Sequence, residues 1–383
     1  MGFLVQGGAP PDDSVTTAKI QDDAVTSAKV AAGVLPGKNL IINSDFGIWQ
    51  RGTAFPAAAN GLYTVDRWKL TRVGAGVLDI EQDTSVPAND SAFSCKLSVD
   101  TADASVAASD FGFFHQRIEA FNTDLLALGT ADAKQISVSF WARSSVADVF
   151  TCFLQNSAQD RTYVHEFTIA SADTWERFTF TLTGDTTGTW ISGTNGIGLI
   201  VGIGLWGGSN SDGTNDTWNA GSKFTTTNSN ETFINTASAT FYLSRFQVEV
   251  GSAASVFEYR DYASELVRCL RYYWRDNVNT GALGGYNQNG FAFSTSIGRM
   301  TFPGHFRSSP TVRVYPAYNV GSGWLWNDGT VNTAWSGAPS LLEYGTNSVG
   351  IQASCASTLT KGHGVVYYNS TGTNGYLELD SEL

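Results

Sequence analysis

At 383 residues the chain is too long for one ordinary hydrophobic core, and 42% hydrophobic against 15% charged residues is the balance of a packed protein. A net charge of −12, with no local run of Lys and Arg, excludes a nucleic-acid backbone as partner and repels acidic polysaccharide unless a local site overcomes it. The 40 glycines and 13% aromatics suit short strands and tight turns. Cys95, Cys152, Cys269 and Cys355 lack metal-ligand spacing and read as buried free thiols. The start, MGFLVQGGAPP, lacks the basic region of a signal peptide. The longest apolar stretch, 197–206, is broken by Gly198, Gly202 and Gly204, so no membrane insertion is expected. Synthesis in a cytoplasm, with export only inside an assembly, follows as the expectation.

The extended N-terminal arm, 1–38, carries a near-exact repeat. Residues 12–20 (DDSVTTAKI) and 22–30 (DDAVTSAKV) follow a ten-residue period. Each unit places an Asp pair (Asp12 and Asp13, Asp22 and Asp23) ahead of one aliphatic, Ile20 or Val30. So small a stripe is buried only by stacking on neighbours or other chains. The units resemble the repeats of bacteriophage tail-fibre proteins. That resemblance implies docking of the arm onto other virion proteins.

From residue 39 strand-like runs recur: 66–72, 77–82, 94–99, 111–118, 135–144, 149–155, 162–169, 176–182, 196–205 and 239–250. Ile136, Val138, Phe140 and Ala142 alternate onto one face, as do Phe178, Phe180 and Leu182. The Gly-rich run 196–208 predicts close backbone packing at a sheet crossing. The pattern is mainly β, an antiparallel β-sandwich of jelly-roll type over 39–262. Residues 39–51 (NLIINSDFGIWQR), 63–69 (YTVDRWK) and 246–262 (FQVEVGSAASVFEYRDY) resemble the markers of a domain common in phage tail and virion proteins, itself similar to jelly-roll carbohydrate-binding modules. The resemblance implies glycan binding and raises a structural calcium near Asp45 and Glu249. No ligand pattern matches residue by residue, and no other cofactor is expected.

One short helix, 263–276, is predicted to join this body to a C-terminal β domain, 277–383. Ala263, Leu266, Val267, Leu270 and Trp274 form its apolar stripe, with Glu265 and Arg268 on the other side. The stripe suits either a threefold contact between copies or docking onto the chain's own sandwich. Arg268, Arg271 and Arg275 along it are expected in salt bridges at a subunit contact. Strand-like runs follow at 291–296, 298–302, 311–318, 348–354 and 364–368. Residues 298–315 (GRMTFPGHFRSSPTVRVY) resemble a signature of tail-fibre-like C-terminal domains, with His305-Phe306-Arg307 where Met-Arg is usual.

No catalytic or metal constellation stands out. His115, His165, His305 and His363 lack partners at ligand spacing. Asp212 and Asp216 can be imagined as a glycosidase pair, but solvated loop acids are the simpler reading. Sugar rings stack on Trp and Tyr while Asp and Asn bind hydroxyls. Two loops have that mixture. One carries Trp218 with Asp212 and Asp216, and the other carries Trp324, Trp326 and Trp335 with Asn327 and Asp328. Core or trimer-interface positions are the competing reading for these rings. Trp49, Trp68, Trp141 and Trp175 lie in patterned strands or at their ends, and most of them are expected in the core. The expected protein is a virion structural component, a short tail fibre or tail-tip adhesin. It forms a homotrimer, attaches to host surface polysaccharide or lipopolysaccharide, and is not an enzyme. A head-decoration protein without receptor binding and a surface-polysaccharide depolymerase are the alternatives.

Overall fold

The computed structural model describes residues 37–87, 91–229, 231–278, 289–294, 296–303, 305–315, 324–327, 332–344, 348–355, 359, 361, 364–369 and 375–383. The ten-residue repeats, with Asp12, Asp13, Ile20, Asp22, Asp23 and Val30, lie outside these residues.

The body is built from β1 (Ala54–Phe55), β2 (Trp68–Val73), β3 (Val77–Asp83), β4 (Ser94–Thr101), β5 (Phe111–Glu119), β6 (Gln135–Ser144), β7 (Asp148–Gln155), β8 (Arg161–Ile169), β9 (Glu176–Thr183), β10 (Ile197–Gly207), β11 (Thr217–Ala220) and β12 (Thr240–Val250). They form two six-stranded sheets, β1-β3-β4-β12-β6-β9 and β11-β8-β7-β10-β5-β2. Pairing is antiparallel throughout, giving a jelly-roll-type sandwich. Every run expected in this part becomes a strand, with ends moved by two residues at most. The short β1 and β11 carry too few alternating residues to be read.

Between the sheets Trp68 is fully buried, its ring 5.2 Å from Phe46, 5.3 Å from Phe114 and 5.6 Å from Phe246. The Gly-rich run is packed backbone to backbone, as its composition requires. A Cβ on Gly204 would lie 2.0 Å from the Phe224 carbonyl oxygen, and one on Gly202 would lie 2.5 Å from that of Phe114. Phe224 is thereby drawn onto the outer face of the second sheet, where it packs with Phe113 and Phe153 (4.2 and 5.2 Å). All four cysteines are free and buried.

Among the described residues the three α-helices are short: α1 (Ala120–Thr123), α2 (Thr232–Asn235) and α3 (Tyr262–Leu270). Asp261 caps α3 by accepting the Ser264 N–H at 3.0 Å. The helix ends six residues before the expected boundary at 276, because Tyr273 and Trp274 enter a strand instead. The buried face also differs from the predicted stripe. Cys269 and Glu265 face inward, while Val267 is 67% exposed. Glu265 accepts the Asn43 N–H and pairs with Arg260 at 3.3 Å. Burial raises its pKa, partly offset by those two partners. Thus α3 docks on its own sandwich, against Ile42 and Ile48.

The C-terminal part adds β13 (Tyr273–Val278), β14 (Asn289–Ser294), β15 (Ile297–Pro303), β16 (Thr311–Tyr315), β17 (Trp324–Asn327), β18 (Asn332–Ala334), β19 (Ser340–Tyr344), β20 (Ser348–Ser354), β21 (Gly364–Asn369) and β22 (Gly375–Asp380). They form sheets β13-β22-β16 and β18-β17-β21-β14-β15-β20-β19 around Met300, Ile351, Leu377 and Leu379. No helix among the described residues is long and apolar enough to cross a membrane.

The two parts meet through buried charge. Glu382 pairs with Arg67 and, at 3.3 Å, with Arg51, which also reaches Asp66 at 3.4 Å. Arg67 lies 3.4 Å over the Tyr272 ring and Arg51 lies 3.5 Å over Tyr273. Nearby, Glu119 bridges Arg271 (3.0 Å) and Arg307 (3.3 Å). Arg275 stacks on Tyr376 at 3.6 Å. Arg271 and Arg275, expected at a subunit contact, are therefore used within the chain, across the seam.

Glu382→Gln leaves Arg67 buried beside a neutral group, so a loss of about 3 kcal/mol is expected in urea unfolding. Burial pushes Asp66 up to about 7 despite Arg51. A protonated Asp66 contributes stability that is complete below its ordinary value of 3.8 and is lost as pH rises through about 7. Unfolding free energies at pH 5.5 and pH 8 should therefore fall more for the native protein than for Asp66→Asn.

Candidate functional site

The loop aromatic Trp218 sits half-buried on the edge strand β11. Its indole N–H donates to the Thr183 carbonyl at 2.9 Å, and its ring meets Trp190 edge-on at 5.5 Å and Tyr163 at 5.5 Å. The Trp190 N–H donates to Thr187 O at 3.1 Å. Asp216 holds His165 Nδ1 at 2.6 Å and accepts the Tyr163 hydroxyl at 3.3 Å, whereas Asp212 accepts the Thr225 hydroxyl at 3.1 Å. The two carboxylates thus serve different partners and form no shared site. Trp190 lines a shallow depression of about 390 Å³ with Asp124, but this corner meets most of its own polar needs.

Trp335 is only 4% exposed and packs in the C-terminal core, so it offers no stacking face to solvent. That corrects the expectation of a binding residue there: its partner across the bridge, Cys355, draws it inward. Trp324, Trp326 and Asn327 lie in β17, but their side chains fall outside the described ones, and Asp328 lies outside the described residues. Near the suggested calcium position, Glu249 already accepts Ser255 N–H (2.7 Å) and Gln247 Nε2 (2.8 Å). Arg245 and Arg260 supply positive charge to Asp45, whose pKa burial raises. Among the described residues no group of three or more His, Cys, Asp or Glu is placed to hold a metal.

A more open site lies on the outer face of the first sheet. The β6 alternation that buries Phe140 and Ala142 turns Trp141 outward, correcting its expected core position. Across the strands Trp141 pairs with Arg177 of β9 and Ser244 of β12. β12 then carries one extra residue: Ser244 pairs with Trp141, and the next partnered residue, Gln247, pairs with Ser139. The bulge falls at Arg245, whose φ of 51° is left-handed. It returns Phe246 to the core, fully buried, and delivers Arg245 to the outer face.

The segment 251–260 crosses this face as a strap. It is fastened by Glu249 to Ser255 and by Glu258, which accepts the Asn39 N–H at 2.6 Å. Strap and sheet enclose a cleft of about 580 Å³ lined by Trp141, Arg177, Arg245, Ser255, Phe257 and Tyr259. Tyr259 is 68% exposed and Val256 60%. Neither the Trp141 indole N–H nor the Tyr259 hydroxyl is bonded to another described residue. Rings that carry such open donors are what a sugar needs. Sequence reasoning missed the site because the strap carries no Trp and Trp141 was counted with the core. Its signal was the alternation itself.

No protein-family model matches the chain, and no curated protein does. Solved structures with partial likeness include the enzymatically active domain of tailspike protein 4 of bacteriophage CBA120, at 12% identity and TM-score 0.33 over 57% of this chain and 22% of that one. The likeness thus spans about a fifth of the tailspike chain. A CBM4 structure matches at 15% identity and TM-score 0.31 over 55% of this chain and 98% of that one. TmCBM61 in complex with beta-1,4-galactotriose matches at 10% identity and TM-score 0.28 over 56% and 99%.

Arg245→Gly keeps the bulge and relieves about 1 kcal/mol of left-handed strain but leaves the buried Asp45 without that cation, so a net loss of about 2 kcal/mol is expected in urea unfolding. A gain instead would mean that the strain outweighs the charge that Arg245 lends to Asp45.

Proposed function

We propose that the chain is a glycan-binding structural protein of a bacteriophage particle, a short tail fibre or tail-tip adhesin acting without catalysis. The observation that carries the binding reading is the outer-face cleft, where Phe257 lies beside Trp141 and Tyr259, whose N–H and hydroxyl are bonded to no other described residue. The particle reading is supported by the ten-residue repeats of the arm. Gly37 donates to Glu258, and Lys38 Nζ contacts Ser255 at 2.6 Å, so the arm leaves the body at the strap. In this reading the arm docks to other virion proteins and the protein works as a homotrimer. Weak single sites then gain orders of magnitude in avidity when several copies engage one surface.

The test is binding of purified full-length protein to bacterial cells and to their extracted surface polysaccharide or lipopolysaccharide. Trp141→Ala should lower affinity about tenfold, the worth of one stacked ring, with unfolding unchanged. Unaltered binding would move the site elsewhere. Release of reducing ends would make the protein a depolymerase, and no binding to any host would favour a structural role such as head decoration. Deleting residues 1–36 should leave a folded body that no longer joins particles, read by its absence from purified virions.

A further inference from the structure

We infer that the outer-face cleft selects saccharides that carry a carboxylate, as in a uronic acid polymer. This rests on the glycan-binding reading above and adds the charge of the ligand.

Two guanidinium groups flank the Trp141 ring, from neighbouring strands on either side. Arg177 is its cross-strand partner on β9, and Arg245 follows its partner Ser244 on β12. Arg177 is exposed and donates Nη2 to the Ser255 carbonyl at 3.1 Å. Among the described residues no carboxylate lies within ion-pairing distance of it. Arg245 is only 7% exposed, with burial working against its charge and Asp45 the carboxylate that eases it. A neutral sugar seated on Trp141 would strip water from Arg177 and return no charge, which is costly. A carboxylate at the ring edge instead accepts paired N–H bonds from the planar fork of an arginine. Arg177 thus stands in the cleft as a cation without a carboxylate partner among the described residues, in a chain of net charge −12. Long-range repulsion of a polyanion is screened within about 8 Å at physiological ionic strength, while contacts at hydrogen-bond distance are not.

The experiment is calorimetric titration of full-length protein with polygalacturonate and with alginate, each against its methyl ester, at physiological ionic strength. The esters keep the backbone and remove the charge. At least tenfold tighter binding of the acids is expected. Arg177→Ala, an exposed change that should leave the fold intact, should erase most of that preference. Trp141→Ala should weaken acids and esters alike. Equal, Trp141-dependent binding of acid and ester would overturn the charge selection and leave the glycan reading standing. Binding of neither polymer would overturn both. A drop in mass in solution on Trp141→Ala, without polymer binding, would make the cleft a contact between copies and would likewise overturn both.

Discussion

Charge buried between the two parts of the molecule sets everything around it. Arg67 and Glu382 are 1% and 4% exposed, and Arg51 reaches both Glu382 and Asp66. Removing such groups from water costs several kcal/mol per ion, so the cluster is tolerable only when every member is in place. That demand ties the loop before β2, the start of β13 and the residues after β22 into one arrangement. The tyrosines after α3 complete it, because Tyr272 and Tyr273 cover the two guanidinium planes. A pair of aliphatics there would hold the parts together with less directional preference.

The same economy of buried polar groups builds the strap. Asn39 accepts the N–H groups of Ile41 and Val248 through one oxygen and donates to the Phe246 carbonyl, closing the first residues of the body onto its last strand. Arg260 donates to the carbonyl oxygens of Ile41 and Asn39 and pairs with Glu258 and Glu265. The three sequence markers that suggested a phage-associated domain are therefore largely structural. They close the sandwich, and the wall of the cleft is held by the residues that do so. A cleft wall resting on such a clamp is ordered before anything occupies it.

What was legible in the sequence was whatever obeys a period. Strands with one buried face announce themselves by alternation, and the sandwich followed from ten of them. The glycines were legible because β10 has almost no side-chain variety to explain otherwise. Where a tertiary contact overrides a local preference, the sequence misleads. The helical stripe through Trp274 fails because β22 offers pairing to Tyr273 and Trp274, and aromatic residues accept a strand readily. Glu265 looks like a surface residue until Arg260 and the Asn43 N–H are placed beside it. Trp335 looks like a loop aromatic until Cys355 pairs with it. The cleft was hidden for a different reason. Its residues, Trp141, Arg177, Arg245 and Tyr259, are separated by up to 118 positions and share no motif.

The bulge at Arg245 shows why that site is more than leftover surface. Strict alternation from Leu243 would turn Arg245 inward and Phe246 outward. Inserting one residue restores Phe246 to its place 5.2 Å from Phe140 and 5.6 Å from Trp68. Glycine is the residue that makes such a bulge without strain, and an arginine there costs roughly 1–2 kcal/mol of backbone energy. Strain of that size is retained where the side chain does something glycine cannot. At this position the guanidinium supplies positive charge to the buried Asp45 and lines the cleft beside an outward tryptophan. The fold uses the extra residue to reseat Phe246 and its charge to balance Asp45, and the same guanidinium lines the cleft.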